Sequence, residues 1–97
     1  MPYLRPDQSN LYKQMSLPTE VNLRHLSVKV GQEKLESYIY RASEAGMAII
    51  KIIHGRSGGD MRKITHELLL RHPLIKEFEY PAAPAEGGPG VTIAKLV

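Results

Sequence analysis

The run from Met47 to Ile53, apolar apart from Lys51, stops abruptly at His54-Gly55-Arg56-Ser57-Gly58-Gly59-Asp60-Met61-Arg62. It is rich in β-branched residues and too short for most helices, so it predicts a buried strand. Three glycines fall within the five residues that follow His54, and a helical pattern comes next. A glycine-rich turn between a strand and a helix lets the backbone approach a ligand closely. The helix start then aims unpaired N–H groups and a partial positive charge at that ligand. With His54 and Arg56 alongside, the expected ligand is an anion, foremost a phosphate.

The remaining pattern fits one domain around this turn. Residues 1–18 hold Pro2, Pro6 and Pro18 among scattered apolar residues with no sustained period, which reads as an extended N-terminal arm. Docking of that arm on the domain or on a second copy both stay open. A strand is expected over about Glu20 to Arg24. Ser27 then caps a helix whose stripe is Val28, Gln32, Leu35, Ile39 and Ala42, with Gly46 ending it. A second helix is expected from Asp60, as its N-cap, to Arg71, with Met61, Ile64, Thr65, Leu68 and Leu69 on one face and Pro73 as its stop. Strands over Lys76 to Tyr80 and Val91 to Val97 flank a loop, Pro81 to Gly90, that carries three prolines and three glycines. The order β-α-β-α-β-β predicts an α/β (α+β) two-layer sandwich: a four-stranded mixed sheet, one parallel crossover and two helices.

Composition removes several function classes. There is no cysteine, so disulfides, thiolate metal sites and cysteine nucleophiles are excluded. No apolar stretch reaches the roughly 18 residues of a membrane helix, and the N-terminus lacks an apolar signal core, so a cytoplasmic location without membrane attachment is the expectation. The net charge of +3 is mild. Its distribution is more informative, since Lys51, Arg56, Arg62 and Lys63 cluster around the turn, opposed there only by Asp60.

The turn is neither a Walker A loop nor a Rossmann fingerprint, because neither spacing occurs. It resembles the His-Gly-x-Gly-x-Gly-x-Leu-Arg box of the small MutS-related (Smr) domain, which matches residues 54–62 in length with Ser57 at the middle glycine. Val21-Asn22-Leu23-Arg24-His25 is similar to that family's Leu-Asp-Leu-His/Arg-Gly box, and Glu86-Gly87-Gly88-Pro89-Gly90-Val91-Thr92 to the loop before its last strand. The likeness spans residues 19–97. It implies a fold similar to the C-terminal domain of translation initiation factor 3. It further implies a domain found in MutS-like recombination suppressors and in small stand-alone bacterial proteins, which binds nucleic acid and in several cases nicks DNA or RNA. The family's functional positions fall on Asn22, Arg24, His54, Gly55 and Gly59, with Arg62 a phosphate contact. Two positions depart from the pattern: Asn22 replaces an acid and cannot ionise, and His25 replaces a glycine, which is expected to constrict the turn.

The candidate catalytic set is therefore His54, Asn22 and His25. An imidazole pKa near 6.5 suits proton transfer, and His25 stands in for the absent carboxylate. The candidate phosphate-binding set is Arg24, Gly55, Arg56, Ser57, Gly58, Gly59, Arg62 and Lys63, gathered where α/β sheets bind ligands. His66 and His72 read as solvated or capping groups. Of the tyrosines, only Tyr38, Tyr40 and Tyr80 are placed to stack on bases. No spacing gives a metal-ligand set, so whether a divalent metal takes part stays open. The function this supports is nucleic-acid binding with phosphodiester nicking. The alternatives are an inert module that docks an acidic protein partner and a binder of a small phosphate ligand. Few aromatics near the turn disfavour a free-nucleotide pocket. Oligomeric state stays open.

Overall fold

A computed structural model of the chain describes residues 17–56 and 58–97, so most of the expected arm, and Ser57, lie outside the described residues. The elements are β1 (Glu20–Asn22), α1 (Val28–Glu44), β2 (Ile49–Ile53), α2 (Asp60–Arg71), β3 (Ile75–Glu79) and β4 (Val91–Leu96), with short 3-10 turns at Pro84–Glu86 and Gly88–Gly90. The order is the expected β-α-β-α-β-β.

Local chemistry sets the boundaries, and several differ from expectation. β1 ends at Asn22 rather than Arg24, because the Asn22 Oδ1 accepts the Arg24 N–H at 2.9 Å and His25 turns the chain with a φ of 67°. Ser27 caps α1 as expected, its hydroxyl accepting the Val30 N–H at 3.3 Å, and Gly46 leaves the helix with φ 76°. The buried stripe of α1 is Gly31, Leu35, Tyr38, Ile39 and Ala42, while Val28 faces solvent. Gly31 belongs there because Met61 of α2 lies against it: a Cβ would fall 2.5 Å from the Met61 Cε. Asp60 is not the cap of α2. Gly59 holds that position with φ 83° and no side-chain bond, and Asp60 is the first helical residue, where its charge still favours the helix start. β3 begins one residue early, at Ile75 opposite Leu96, with a register shift before Glu77.

The sheet runs β1-β2-β4-β3. β1 and β2 are parallel, with Val21 opposite Ile52; β4 is antiparallel to both its neighbours, pairing Val91 with Ile53 and Ala94 with Phe78. Alternation sends Ile50, Ile52, Ala94 and Leu96 to the face covered by the helices, where they join Leu35, Ile39, Leu68 and Leu69 in one core. Truncating Ile50 or Ile52 there to alanine costs about 2–5 kcal/mol. The opposite face carries Ile49, Lys51 and Ile53 and has no helix over it. Leu17 packs against the core and the Tyr38 hydroxyl donates to the Pro18 carbonyl, which fixes the chain just before β1.

Candidate functional site

The glycine turn between β2 and α2 is anchored to the start of β4. The His54 and Gly55 N–H groups both donate to the Gly90 carbonyl, at 3.1 and 3.0 Å. Gly55, Gly58 and Gly59 take φ of 89°, 80° and 83°, a backbone region costly for side-chain-bearing residues. Each nearby arginine lies on a glycine. Measured from where a Cβ would stand, the Arg24 Cγ is 3.4 Å from Gly55, the Arg62 guanidinium 3.1 Å from Gly59, and the Arg56 side chain 3.4 and 3.3 Å from Gly88 and Gly90. Arg62 also sits 5.7 Å from the centre of the Tyr80 ring. The glycines therefore serve both to bend the chain and to let three cations approach it. Lys63 is exposed on the first turn of α2, and Gly58 faces open space.

His54 is placed otherwise than an exposed acid–base group. It is only 5% exposed, on the helix-covered side, and both ring nitrogens are engaged. Nδ1 faces the Gly55 carbonyl at 3.0 Å and Nε2 faces the Thr92 hydroxyl at 2.9 Å. A carbonyl can only accept, so Nδ1 carries the proton. In the neutral ring Nε2 then accepts from Thr92, and the Thr92 oxygen in turn accepts from Nε2–H of His66, 2.8 Å away. His66 is thus no solvated histidine: it stacks on Phe78 at 5.1 Å and meets the Tyr80 ring edge-on at 4.8 Å. Burial pushes the His54 pKa below its ordinary value; the Gly55 carbonyl works against this and Arg62 adds to it. Burial, then His54, then Arg62, likewise push His66 down. Both rings are neutral near pH 7.

On the other side of the turn a cleft of about 730 Å³ opens toward the uncovered sheet face. Arg24, His25, Lys51 and Arg56 line it together with Glu20 and Glu86, over a floor that includes Leu26, Ile53 and Val91. Lys51 pairs with Glu86 at 3.4 Å. His25 does not constrict its turn. It adopts the left-handed backbone of the glycine it replaces and exposes its ring at the cleft. Asn22 lies away from this cleft, its amide oxygen spent on the Arg24 N–H and its carbonyl on Lys34 Nζ at 3.0 Å. His72 ends α2, its Nδ1 accepting the Leu74 N–H at 3.1 Å. Of the three tyrosines, Tyr38 is core, Tyr40 packs on His72 at 5.3 Å, and Tyr80 alone stands beside the turn. Among the described residues, no three His, Asp or Glu side chains converge as a metal site. No helix there is long and apolar enough to cross a membrane.

Thr92 and His66 join the site only in the structure, while Lys51 belongs to the charge cluster visible in the sequence. Arg62 and His66 are four apart on α2, a spacing that places them on one helix face and marks His66 as a neighbour of the turn. Nothing local marks Thr92, which reaches the site only through the pairing of β4 with β2.

A two-layer sandwich with an arginine-lined His-Gly turn at the end of its parallel strands defines a small α/β domain class built around that turn. The Smr domain family model matches residues 21–97, and the chain belongs to this family. It is 40% identical over 77 residues to endonuclease MutS2 of Thermomicrobium roseum, covering 79% of the chain, and 38% identical over 84 residues to that of Symbiobacterium thermophilum, covering 87%. The chain spans about a tenth of the length of these relatives. The crystal structure of the Smr domain of Thermus thermophilus MutS2 superposes with a TM-score of 0.77 at 32% identity, over 80% of this chain and 96% of that one. The stand-alone small MutS-related protein YdaL of Escherichia coli shares the fold, with a TM-score of 0.73 at 23% identity, over 99% of this chain and 79% of that one.

Proposed function

We propose that this domain binds nucleic acid through its glycine turn and nicks a phosphodiester bond beside it. The observation that carries the reading is the seating of Arg24, Arg56 and Arg62 on glycines around an α2 start whose N-cap, Gly59, makes no side-chain cap bond. The free amides of that first turn and the three guanidinium groups suit one phosphate and its neighbour, and Lys63 adds charge on the same side. The relatives named endonuclease MutS2 support the same reading. Within it, Gly55, Gly58 and Gly59 shape the loop that receives the phosphate. His25, exposed at the cleft, is the imidazole that reaches substrate and moves the proton. His54 is a positioning residue: its Nδ1–H holds the Gly55 carbonyl, and its other nitrogen is committed to Thr92. Asn22 orients Arg24 through the Arg24 amide and takes no proton.

The test is a binding and cleavage assay on branched and linear DNA and RNA, with and without divalent metal ions. Salt-sensitive binding with nicked product supports the proposal. Binding without product on any substrate favours an inert module that uses the same basic edge to dock an anionic partner.

A further inference from the structure

The geometry points to the cleft beside the turn as a receptor for the base of one unpaired nucleotide, which makes strands with unstacked positions preferred over continuous duplex. This rests on the phosphate-binding reading above and adds what lies next to the phosphate. The cleft, at about 730 Å³, falls within the roughly 300–1,000 Å³ of ligand pockets. It shares Arg24, Gly55 and Arg56 with the turn, so a phosphate held there places the attached nucleoside at the cleft mouth.

The charge pattern inside separates base from backbone. Glu20 and Glu86 line the cleft, Glu86 paired with Lys51 at 3.4 Å, and a duplex backbone pressed flat across it would bring phosphates against the Glu20 carboxylate. A base instead brings amino and ring N–H donors, which a carboxylate accepts, and an apolar face that Leu26, Ile53 and Val91 can cover. Among the described residues the aromatic lining is two imidazoles, the exposed His25 and the buried His54, with no Phe, Tyr or Trp, so stacking contributes little. The occupant is therefore a nucleotide whose neighbouring phosphates are already held, rather than a free mononucleotide. A base within a regular stack reaches the concavity only by flipping, at a cost of about a few kcal/mol.

The experiment measures affinity of the whole chain for two gapped duplexes of equal charge. One presents a single unpaired adenosine, the other an abasic residue at the same place, with uninterrupted duplex and 5′-AMP as competitors. The adenosine substrate is expected to bind about tenfold tighter than the abasic one, the effect of covering roughly 60 Å² of apolar base surface. Uninterrupted duplex and 5′-AMP should compete weakly. Ile53→Ala should bring the adenosine-to-abasic ratio toward one, while Ile49→Ala, at the far end of the same strand, should keep it. Equal affinity of wild type for adenosine and abasic substrates overturns the cleft proposal and leaves phosphate binding standing. Competition by 5′-AMP as effective as by the oligonucleotide also overturns it, in favour of a free-nucleotide site. Failure to bind any of the substrates overturns the phosphate reading itself.

Discussion

The hydroxyl of Thr92, in β4, lies 2.9 Å from Nε2 of His54, one residue past the end of β2. The Gly55 carbonyl sets this buried ring as the Nδ1–H tautomer, and the Thr92 bond engages the nitrogen that is left as an acceptor. The strand at the middle of the sheet thereby sets the shape of a loop that belongs to another element. Replacing Thr92 with valine keeps the volume but strands Nε2 of both His54 and His66. The expected loss is about 1–3 kcal/mol of stability, read by denaturant unfolding, with Thr92→Ser losing less. Imidazole ¹⁵N shifts should show the Nδ1–H tautomer of His54 in both proteins, with the Nε2 resonance displaced in Thr92→Val as its hydrogen bond is lost; an unchanged Nε2 shift would refute the bridge.

Stability should depend on pH through the same pair. Both rings are held below their ordinary pKa of 6.5 in the folded protein. The unfolded chain therefore binds more protons as pH falls below about 6.5, and folding free energy drops with acidification through that window. Unfolding midpoints between pH 7.5 and 5 measure this. His66→Gln keeps a donor toward Thr92 while removing one titrating group, so its curve should be flatter than that of wild type.

The glycines should separate by what surrounds them. Gly58 meets nothing within 4 Å, so Gly58→Ala incurs only the left-handed backbone cost, about 1–2 kcal/mol, read by denaturant unfolding. At Gly59 the Arg62 guanidinium stands 3.1 Å from a new Cβ, and at Gly55 the Arg24 side chain stands 3.4 Å away. Gly59→Val and Gly55→Val should therefore displace these arginines and abolish binding in chains that still fold. Normal binding by either variant would remove the turn from the site.

Affinity should fall steeply with salt and vary little with sequence. The expected log–log slope corresponds to about 3 to 5 phosphates, and Arg56→Gln should lower it by about one. Equal affinity at low and physiological salt would remove phosphate contacts from the mechanism.

His25 should show a stability–activity trade. Its φ of 67° is unfavourable for any residue with a side chain, so His25→Gly should gain about 1 kcal/mol in stability and lose cleavage. Asn22→Asp preserves the oxygen that accepts the Arg24 N–H and should leave cleavage close to wild type, because that side chain is turned away from the cleft. A large rise in cleavage with Asn22→Asp would instead give position 22 the catalytic role.

The fold was largely legible because its signals are local: a β-branched run, a serine cap, two helical stripes and a proline-rich loop. The glycine turn and its arginines were legible for the same reason, since close approach and positive charge are written in adjacent residues. The exposure of each histidine was not. His54 reads as a strand-end group, yet the pairing of β2 with β4 turns it into the covered side. His66 reads as surface, yet α2 lays it on Phe78 of β3. His25 reads as an obstruction, yet it accepts the glycine's backbone geometry. For His54 and His66 the deciding partner comes from a different strand, and no periodicity within one segment reports it.

The order of the sheet has a consequence for how the domain comes into being. β4 is the last element in the chain and lies between β2 and β3, so the two halves of the sheet share no edge before residues 91–96 arrive. Both the carbonyl that anchors the turn, from Gly90, and the hydroxyl that orders the histidines, from Thr92, arrive with that strand. During synthesis, then, an unfinished domain lacks the proposed anion clamp. Assembly waits on long-range pairing, which is slow, and the phosphate binding proposed for the turn is expected only once the strand is in place.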